Sequence, residues 1–133
     1  KHALPVLLEL NVGGEESKAG WNASEETRWE ALLPDVASIL DLPSLRVQGL
    51  MTMPPLGTDP EDSRQFFVRL RQLRDHLATR FPRADWHELS MGTSADYTIA
   101  VEEGATLVRV GTAIVGARKS KRSSPMDKSE VEA

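Results

Sequence analysis

The sequence holds 133 residues, with 16 basic against 20 acidic side chains for a formal net charge of −4, 40% hydrophobic residues and no cysteine. That length suits one domain of ordinary size with a core of its own. The missing cysteines exclude a disulfide framework, a thiol nucleophile and cysteine-built zinc sites. Mild acidity argues against general nucleic-acid affinity, and no apolar run approaches the roughly 20 residues of a membrane-spanning helix. A reducing, cytoplasmic setting without nucleic-acid or membrane partners is the expectation. Lys1-His2-Ala3-Leu4-Pro5 has no secretory-signal pattern, and an apolar run starting at Leu4 without an initiator Met reads as a chain cut from something longer.

Taken in chain order, Leu4 to Val12 is a short Val- and Leu-rich run closed by Gly13-Gly14, which predicts a mostly buried strand. Ser24 is the expected N-cap of a helix, with Glu25 and Glu26 facing its dipole and Trp29, Leu32, Leu33, Val36, Ile39 and Leu40 at helical spacing. Pro34 interrupts that stretch and predicts a kink or two abutting short helices. Leu45 to Thr52 is a second strand, ended by Pro54-Pro55. Asp59-Pro60-Glu61-Asp62 is the clearest helix start: a cap, a proline at the first position, acids in the first turn. Phe66, Phe67, Leu70, Leu73, Leu77 and Phe81 form the apolar stripe of that helix, and Pro82 stops it.

A third strand fits His87 to Met91, and Ser94 or Asp96 then caps a brief helix through Val101 with Gly104 at its end. Leu107 to Gly111 is a fourth strand. From Ala117 the composition turns to Lys, Arg, Ser, Pro and Glu without periodicity, predicting a disordered tail over 117–133 with net charge +2 on a body, residues 1–116, of −6. Strand and helix alternating four times imply α/β architecture with parallel strands and right-handed crossovers. The sheet is either open and doubly wound or half of an eight-fold (β/α) barrel, which averages about 250 residues.

Two segments after the last two strands carry the chemistry. Ser90-Met91-Gly92-Thr93-Ser94 reads as a hydroxyl-rich turn running into a helix N-terminus, where backbone N–H groups suit a phosphate dianion; its alternative is an ordinary cap. Arg109-Val110-Gly111-Thr112 puts an arginine on one face of the last strand, where it needs an anion or acceptor. Gly111 permits close approach of a ligand and Thr112 adds a donor. The alternative for Arg109 is a salt bridge to Glu9 or Glu88. In (β/α) barrels phosphate sites sit on the loops after the last strands, so the pair favours a phosphate-bearing ligand.

Lys18, after the first strand, either reaches such a ligand or is a solvated loop lysine. His2, His76 and His87 match no metal spacing, and His76 is expected to face solvent. Glu102-Glu103 reads as a solvated helix end rather than an acid/base pair. Trp21, Trp29 and Trp86 read as packing anchors. The basic cluster Arg118-Lys119-Lys121-Arg122 reads as a solubilising tail.

These residues, in this order, resemble the pyridoxal phosphate (PLP) homeostasis protein family, whose fold is that of the alanine racemase N-terminal domain. The matching pieces are Val6 to Val12 with Gly14 to Gly20, Gly49 to Pro55, Leu89 to Asp96, and Glu103 to Gly116. The resemblance implies a partial (β/α)8 TIM barrel, about four strands alternating with helices, as the C-terminal half of a PLP-binding barrel. It implies a cytosolic regulator of B6 vitamers rather than an enzyme, and a monomer when full length. By resemblance Ser90, Gly92, Ser94, Gly111 and Thr112 hold the cofactor phosphate, Met91 is counted with them as cofactor-binding, Arg109 meets the pyridine nitrogen, and Lys18 is a secondary lysine near the pocket. The departures are Thr93 for a usual methionine and Val115 for a usual aromatic. The family lysine that bonds PLP covalently lies on the first barrel strand, which precedes the segment matched here. Two rival readings remain: a PLP-dependent racemase, with Tyr97 as the one tyrosine on offer, and a sugar-phosphate barrel.

Overall fold

The computed structural model describes residues 2–16 and 18–116. The expected tail, with its basic cluster, lies outside the described residues. Within them the fold is α/β, built on a five-stranded parallel sheet in the order β2-β1-β3-β4-β5.

Strand β1, Leu4–Asn11, carries the Val-Leu run and pairs on one side with β3, Leu45–Met51. Strand β4 is Glu88–Thr93 and β5 is Leu107–Arg109. The fifth strand, β2, is a two-residue piece, Trp21–Asn22, beside the end of β1. Sequence periodicity missed it because two residues carry no period. From β1 through β3, β4 and β5 the order advances in one direction without reversal. With right-handed crossovers, such an advance sets successive helices on one face of the sheet.

Helix α1, Trp29–Leu40, follows a 3-10 turn, Glu26–Arg28. Two expectations fail here. Ser24 does not cap the helix; its N–H and hydroxyl both donate to Asn22 Oδ1 (3.1 and 2.8 Å), and the cap position falls on Glu25. Nor does Pro34 divide the helix: it lies inside a continuous α1, and the junction falls instead between Arg28 and Trp29. Pro34 is exposed and only five residues past the helix start, so little of the hydrogen-bond ladder precedes it to be broken.

The helix start at Asp59 is realised in full. Asp59 accepts from the Glu61 N–H at 2.9 Å while Asp62 Oδ2 accepts from the Asp59 N–H at 3.2 Å, a reciprocal cap on the 3-10 turn Pro60–Ser63. Helix α2, Arg64–Arg80, continues from it. Phe67, Leu70, Leu73 and Leu77 are essentially fully buried, each stabilising the fold by about 1.5–3 kcal/mol; Phe66 and Phe81 are half-buried at the ends of the stripe. On the sheet, Leu8, Leu50 and Leu89 pair in one row facing this core.

Two further expectations are corrected on the helices. His76 is half-buried rather than solvent-facing, its ring 5.6 Å from that of Trp29 and its Nε2 3.4 Å from Glu30. Trp29 and Trp86 are buried anchors, and Trp21, half-buried, also packs against the core while donating its indole N–H to Asp35 at 3.0 Å. Glu102 and Glu103 end α3, Tyr97–Glu102, as ion-pair partners rather than as a merely solvated end. Arg64 reaches Glu61, Glu102 and Glu103 at 2.6–2.8 Å, and Arg71 reaches Glu103 at 2.7 Å.

The Arg64 hydrogen bond, with Arg71 beside it, holds the Glu103 carboxyl below its ordinary value of 4.5. A carboxylate depressed in the folded state stabilises above its unfolded pKa, and that contribution disappears as pH falls through the folded value. Glu103→Gln is therefore expected to cost about 1 kcal/mol at pH 7. Its melting temperature should converge on the parent's as the pH drops below about 4.5, a comparison that thermal melts from pH 3 to 7 would make. A constant offset across that range would remove the ion pairs from the account.

Candidate functional site

The ends of β4 and β5 lie side by side. In the register, Glu9 pairs with Met51, Met51 with Ser90, and Ser90 with Leu107, so these side chains share the face opposite Leu8, Leu50 and Leu89. Arg109, two residues past Leu107, shares it too. Alternation puts Met91 on the other face, where it is fully buried in the core. Met91 therefore contributes backbone but no side chain to this strand end.

The segment read from sequence as a turn is mostly strand. Ser90 to Thr93 belong to β4, and the turn proper is 94–96. The strand is irregular, with a register shift between Ser90 and Thr93. Gly92 within it has φ +101°, and a Cβ there would lie 2.6 Å from Ala100 Cβ on α3. Only glycine lets the strand end run this close beneath the helix.

Asp96 stands at the N-cap position of α3, its backbone carbonyl accepting from the Ala100 N–H at 3.1 Å, but it is 2% exposed and its side chain makes no bond to the helix. Its Oδ1 instead accepts from the Thr93 N–H at 2.8 Å, and its Oδ2 accepts from the Ser63 hydroxyl at 2.7 Å. Ser94 is half-buried and its hydroxyl oxygen accepts from the Gly111 N–H at 3.1 Å. That bond joins the two segments singled out in the sequence. Gly111 precedes a single helical turn, α4, Thr112–Val115, and a Cβ placed on it would meet no atom of the described residues within 4 Å. The backbone there is open to a ligand, and the first N–H groups of a helical turn have no intrahelical acceptor.

Arg109 makes neither of the salt bridges that are the alternative to a ligand. Its Nη2 donates to the Thr52 carbonyl at 2.7 Å, reaching past β4 to the end of β3. Thr52 is fully buried, donates its hydroxyl to the Leu10 carbonyl at 2.7 Å and its N–H to the Ser90 carbonyl at 3.0 Å. The arginine is thus tied to β1, β3 and β4 through one residue, a role for Thr52 that the sequence does not announce. Among the described residues, its Nε and Nη1 are buried with no hydrogen-bond partner. Burial lowers its pKa, opposed by the charges of Glu9 and Asp96, and an arginine so placed stays cationic. Two orphaned donors on a desolvated cation fit an acceptor atom of a ligand.

Lys18 stands in the loop after β1, exposed, with its Nζ 3.9 Å from Glu15. Asn11 closes that loop, its side chain exchanging hydrogen bonds with the Glu15 backbone. Thr112 is exposed at the start of α4. Among the described residues, no group of three or more His, Cys, Asp or Glu side chains could hold a metal ion, and no helix is long and apolar enough to cross a membrane.

The residues present fit a phosphate-bearing, ring-containing group such as PLP: the backbone at Gly111 is open beside Ser94, and Arg109 carries two buried donors that no described residue accepts from. Comparison with known proteins gives the family. A pyridoxal phosphate homeostasis protein of Aquifex aeolicus is 48% identical over 114 residues, covering 86% of this chain and 47% of that protein. One of Escherichia coli K12 is 41% identical over 118 residues, covering 86% and 46%. The chain spans about half the length of these curated relatives. Among solved structures, PipY of Synechococcus elongatus without PLP superposes with a TM-score of 0.70 at 32% identity, covering 84% of this chain and 49% of that one. The PLP-bound form of PipY gives 0.67 at 32% identity, covering 83% and 48%. The family model for the alanine racemase N-terminal domain matches residues 1–119. The chain belongs to the alanine racemase N-terminal domain family, on the branch of the pyridoxal phosphate homeostasis proteins.

Proposed function

We propose that residues 1–116 form the C-terminal half of a PLP-binding (β/α) barrel that serves intracellular B6 homeostasis without catalysing a reaction. The observation that carries this reading is the Gly111 N–H on Ser94 Oγ, which joins two phosphate-type segments beside an arginine with two unpartnered donors. Apart from the two-residue β2 beside the end of β1, the strands advance β1-β3-β4-β5 without turning back, and that run supports a barrel segment over a doubly wound sheet. The cytoplasmic setting and the monomeric full-length state belong to the same reading, as does the absence of nucleic-acid and membrane partners.

PLP, when bound, supplies an electrophilic aldehyde and an electron-withdrawing pyridine ring. Ser90, Gly92, Ser94, Gly111 and Thr112 surround its phosphate, and Met91 adds backbone alone. Lys18 stands on the neighbouring loop. Arg109 donates to the ring nitrogen and, being cationic itself, leaves that nitrogen unprotonated. A ring held that way withdraws electrons weakly, which supports a carrier or regulator over a racemase.

Equilibrium dialysis of the chain against PLP, pyridoxal and inorganic phosphate tests the reading. PLP is expected to bind at least about tenfold more tightly than pyridoxal, the worth of one charge-assisted hydrogen bond, and to be displaced by phosphate. Borohydride reduction followed by mass measurement is expected to show no PLP adduct. Equal retention of pyridoxal would refute the phosphate assignment. Sugar phosphates that outcompete PLP would favour the general sugar-phosphate barrel.

A further inference from the structure

Below the two ligand-facing segments lies a pair of buried polar side chains that the binding reading leaves unused. Ser63, 2% exposed at the end of the capped 3-10 turn before α2, donates its hydroxyl to Asp96 Oδ2 at 2.7 Å. Asp96, also 2% exposed, turns its other oxygen to the Thr93 N–H at 2.8 Å and the Thr93 hydroxyl at 3.3 Å. The Asp96 N–H donates back to the Thr93 carbonyl at 3.2 Å. Thr93 and Asp96 thus close a loop on each other, with Ser94 held inside it, and Ser63 anchors that loop to α2.

A carboxylate is an odd tenant beside a phosphate site, because its charge repels a dianion. Burying one is costly unless strong hydrogen bonds meet it. Both costs are offset if the carboxylate sets the position of the groups that do touch the phosphate. We infer that Asp96, anchored by Ser63, is a positioning residue that holds Ser94 where its hydroxyl oxygen can take the Gly111 N–H and so fixes the spacing of the two phosphate-facing segments. This deepens the PLP reading and rests on it. Asp96 serves the phosphate end of the ligand alone. Its charge also favours the Arg109 guanidinium, but Arg109 faces the ring, which pyridoxal and PLP share.

The test is the ratio of pyridoxal to PLP dissociation constants, measured by equilibrium dialysis on the full chain and on Asp96→Ala, Asp96→Asn and Ser63→Ala. Asn keeps an acceptor for the Thr93 N–H and a polar partner for Ser63 while dropping the charge. In Asp96→Ala the ratio is expected to fall about tenfold, through weaker PLP binding, with pyridoxal affinity within about twofold of the parent. Asp96→Asn is expected to restore the parent ratio, and Ser63→Ala to fall about threefold. A merely structural role weakens both ligands together and leaves the ratio unchanged, which would overturn the assignment. Should Asp96→Ala fail to fold, Ser63→Ala and Asp96→Asn decide alone: an unchanged ratio in the first, or a lost one in the second, overturns it. A parent chain that does not distinguish PLP from pyridoxal overturns the functional reading instead. A parent that does, alongside variants that keep its ratio, overturns only the role given to Asp96.

Discussion

Gly49→Ala is expected to destabilise the fold by about 4 kcal/mol, more than a typical core truncation of one methyl group. Gly49 sits where the pairing of β1 with β3 slips: Val6 pairs with Val47, but Leu7 pairs with Gly49, so Gln48 is the extra residue of a bulge. Its φ is +155°, and a Cβ would fall within the Glu88 carbonyl, 2.6 Å from the carbon and closer still to the oxygen. The obstacle is the backbone of β4, which cannot rotate aside as a side chain would. Gly49 and Glu88 are also the first pair of the β3–β4 ladder, so the strand carrying Ser90 and Gly92 would be pushed off its neighbour. A domain of this size has only about 5–15 kcal/mol in total, so urea unfolding should show a large fall in midpoint. A midpoint within a few tenths molar of the parent would mean that the sheet relaxes around the methyl group and that the close approach is not a constraint.

That bulge was not legible in the sequence, and the reason is general. A glycine in Arg46-Val47-Gln48-Gly49-Leu50 is compatible with a bulge, but whether and where the pairing slips is decided by the strands on either side. The helices were more legible. Asp59, Pro60 and Asp62 act on backbone groups two and three residues away, so their pattern survives whatever the tertiary structure does. Ser24 shows the converse: a residue competent to cap was taken by Asn22 on the short strand before it. Where the partner is local and unique, sequence reveals it; where several acceptors compete, only the fold decides.

The same distinction runs through the site. Arg109, Ser94 and Gly111 were legible because a charge on a strand face and a glycine after it are unusual. Their meeting was not, since Ser94 and Gly111 come together only when β4 and β5 pair. Asp96 takes the N-cap position that the sequence offers it, but what its side chain does there is hidden for a related reason. An aspartate before a helix usually serves the helix, and nothing local reveals that a serine 33 residues upstream claims one of its oxygens. Thr52 shows least of all in the sequence, because the atom that holds Arg109 is its backbone carbonyl, common to every residue.

Arg109→Met is expected to weaken PLP and pyridoxal alike, by about 10- to 100-fold, while leaving the fold as stable as before or more so by about 1 kcal/mol. The two halves of that expectation come from the same atoms. Nε and Nη1 are buried donors without partners, and a desolvated cation in that state costs stability that an apolar chain of similar length does not. Against this stands the loss of the Nη2 bond to the Thr52 carbonyl, worth about 1–2 kcal/mol, so the balance lies near zero or slightly in favour of Met. If the orphaned donors are kept for the ring nitrogen, removing them penalises every ligand that carries the ring, phosphorylated or not. The ratio of the two affinities should then hold while both fall, the reverse of what is expected at Asp96. Dialysis against both ligands and urea unfolding of the same variant measure the two halves separately. Unchanged affinity would take Arg109 out of the binding site. A loss of about 2 kcal/mol or more in stability would make its bond to Thr52 the reason it is there, and would turn a residue poised for a ligand into a tie between strands.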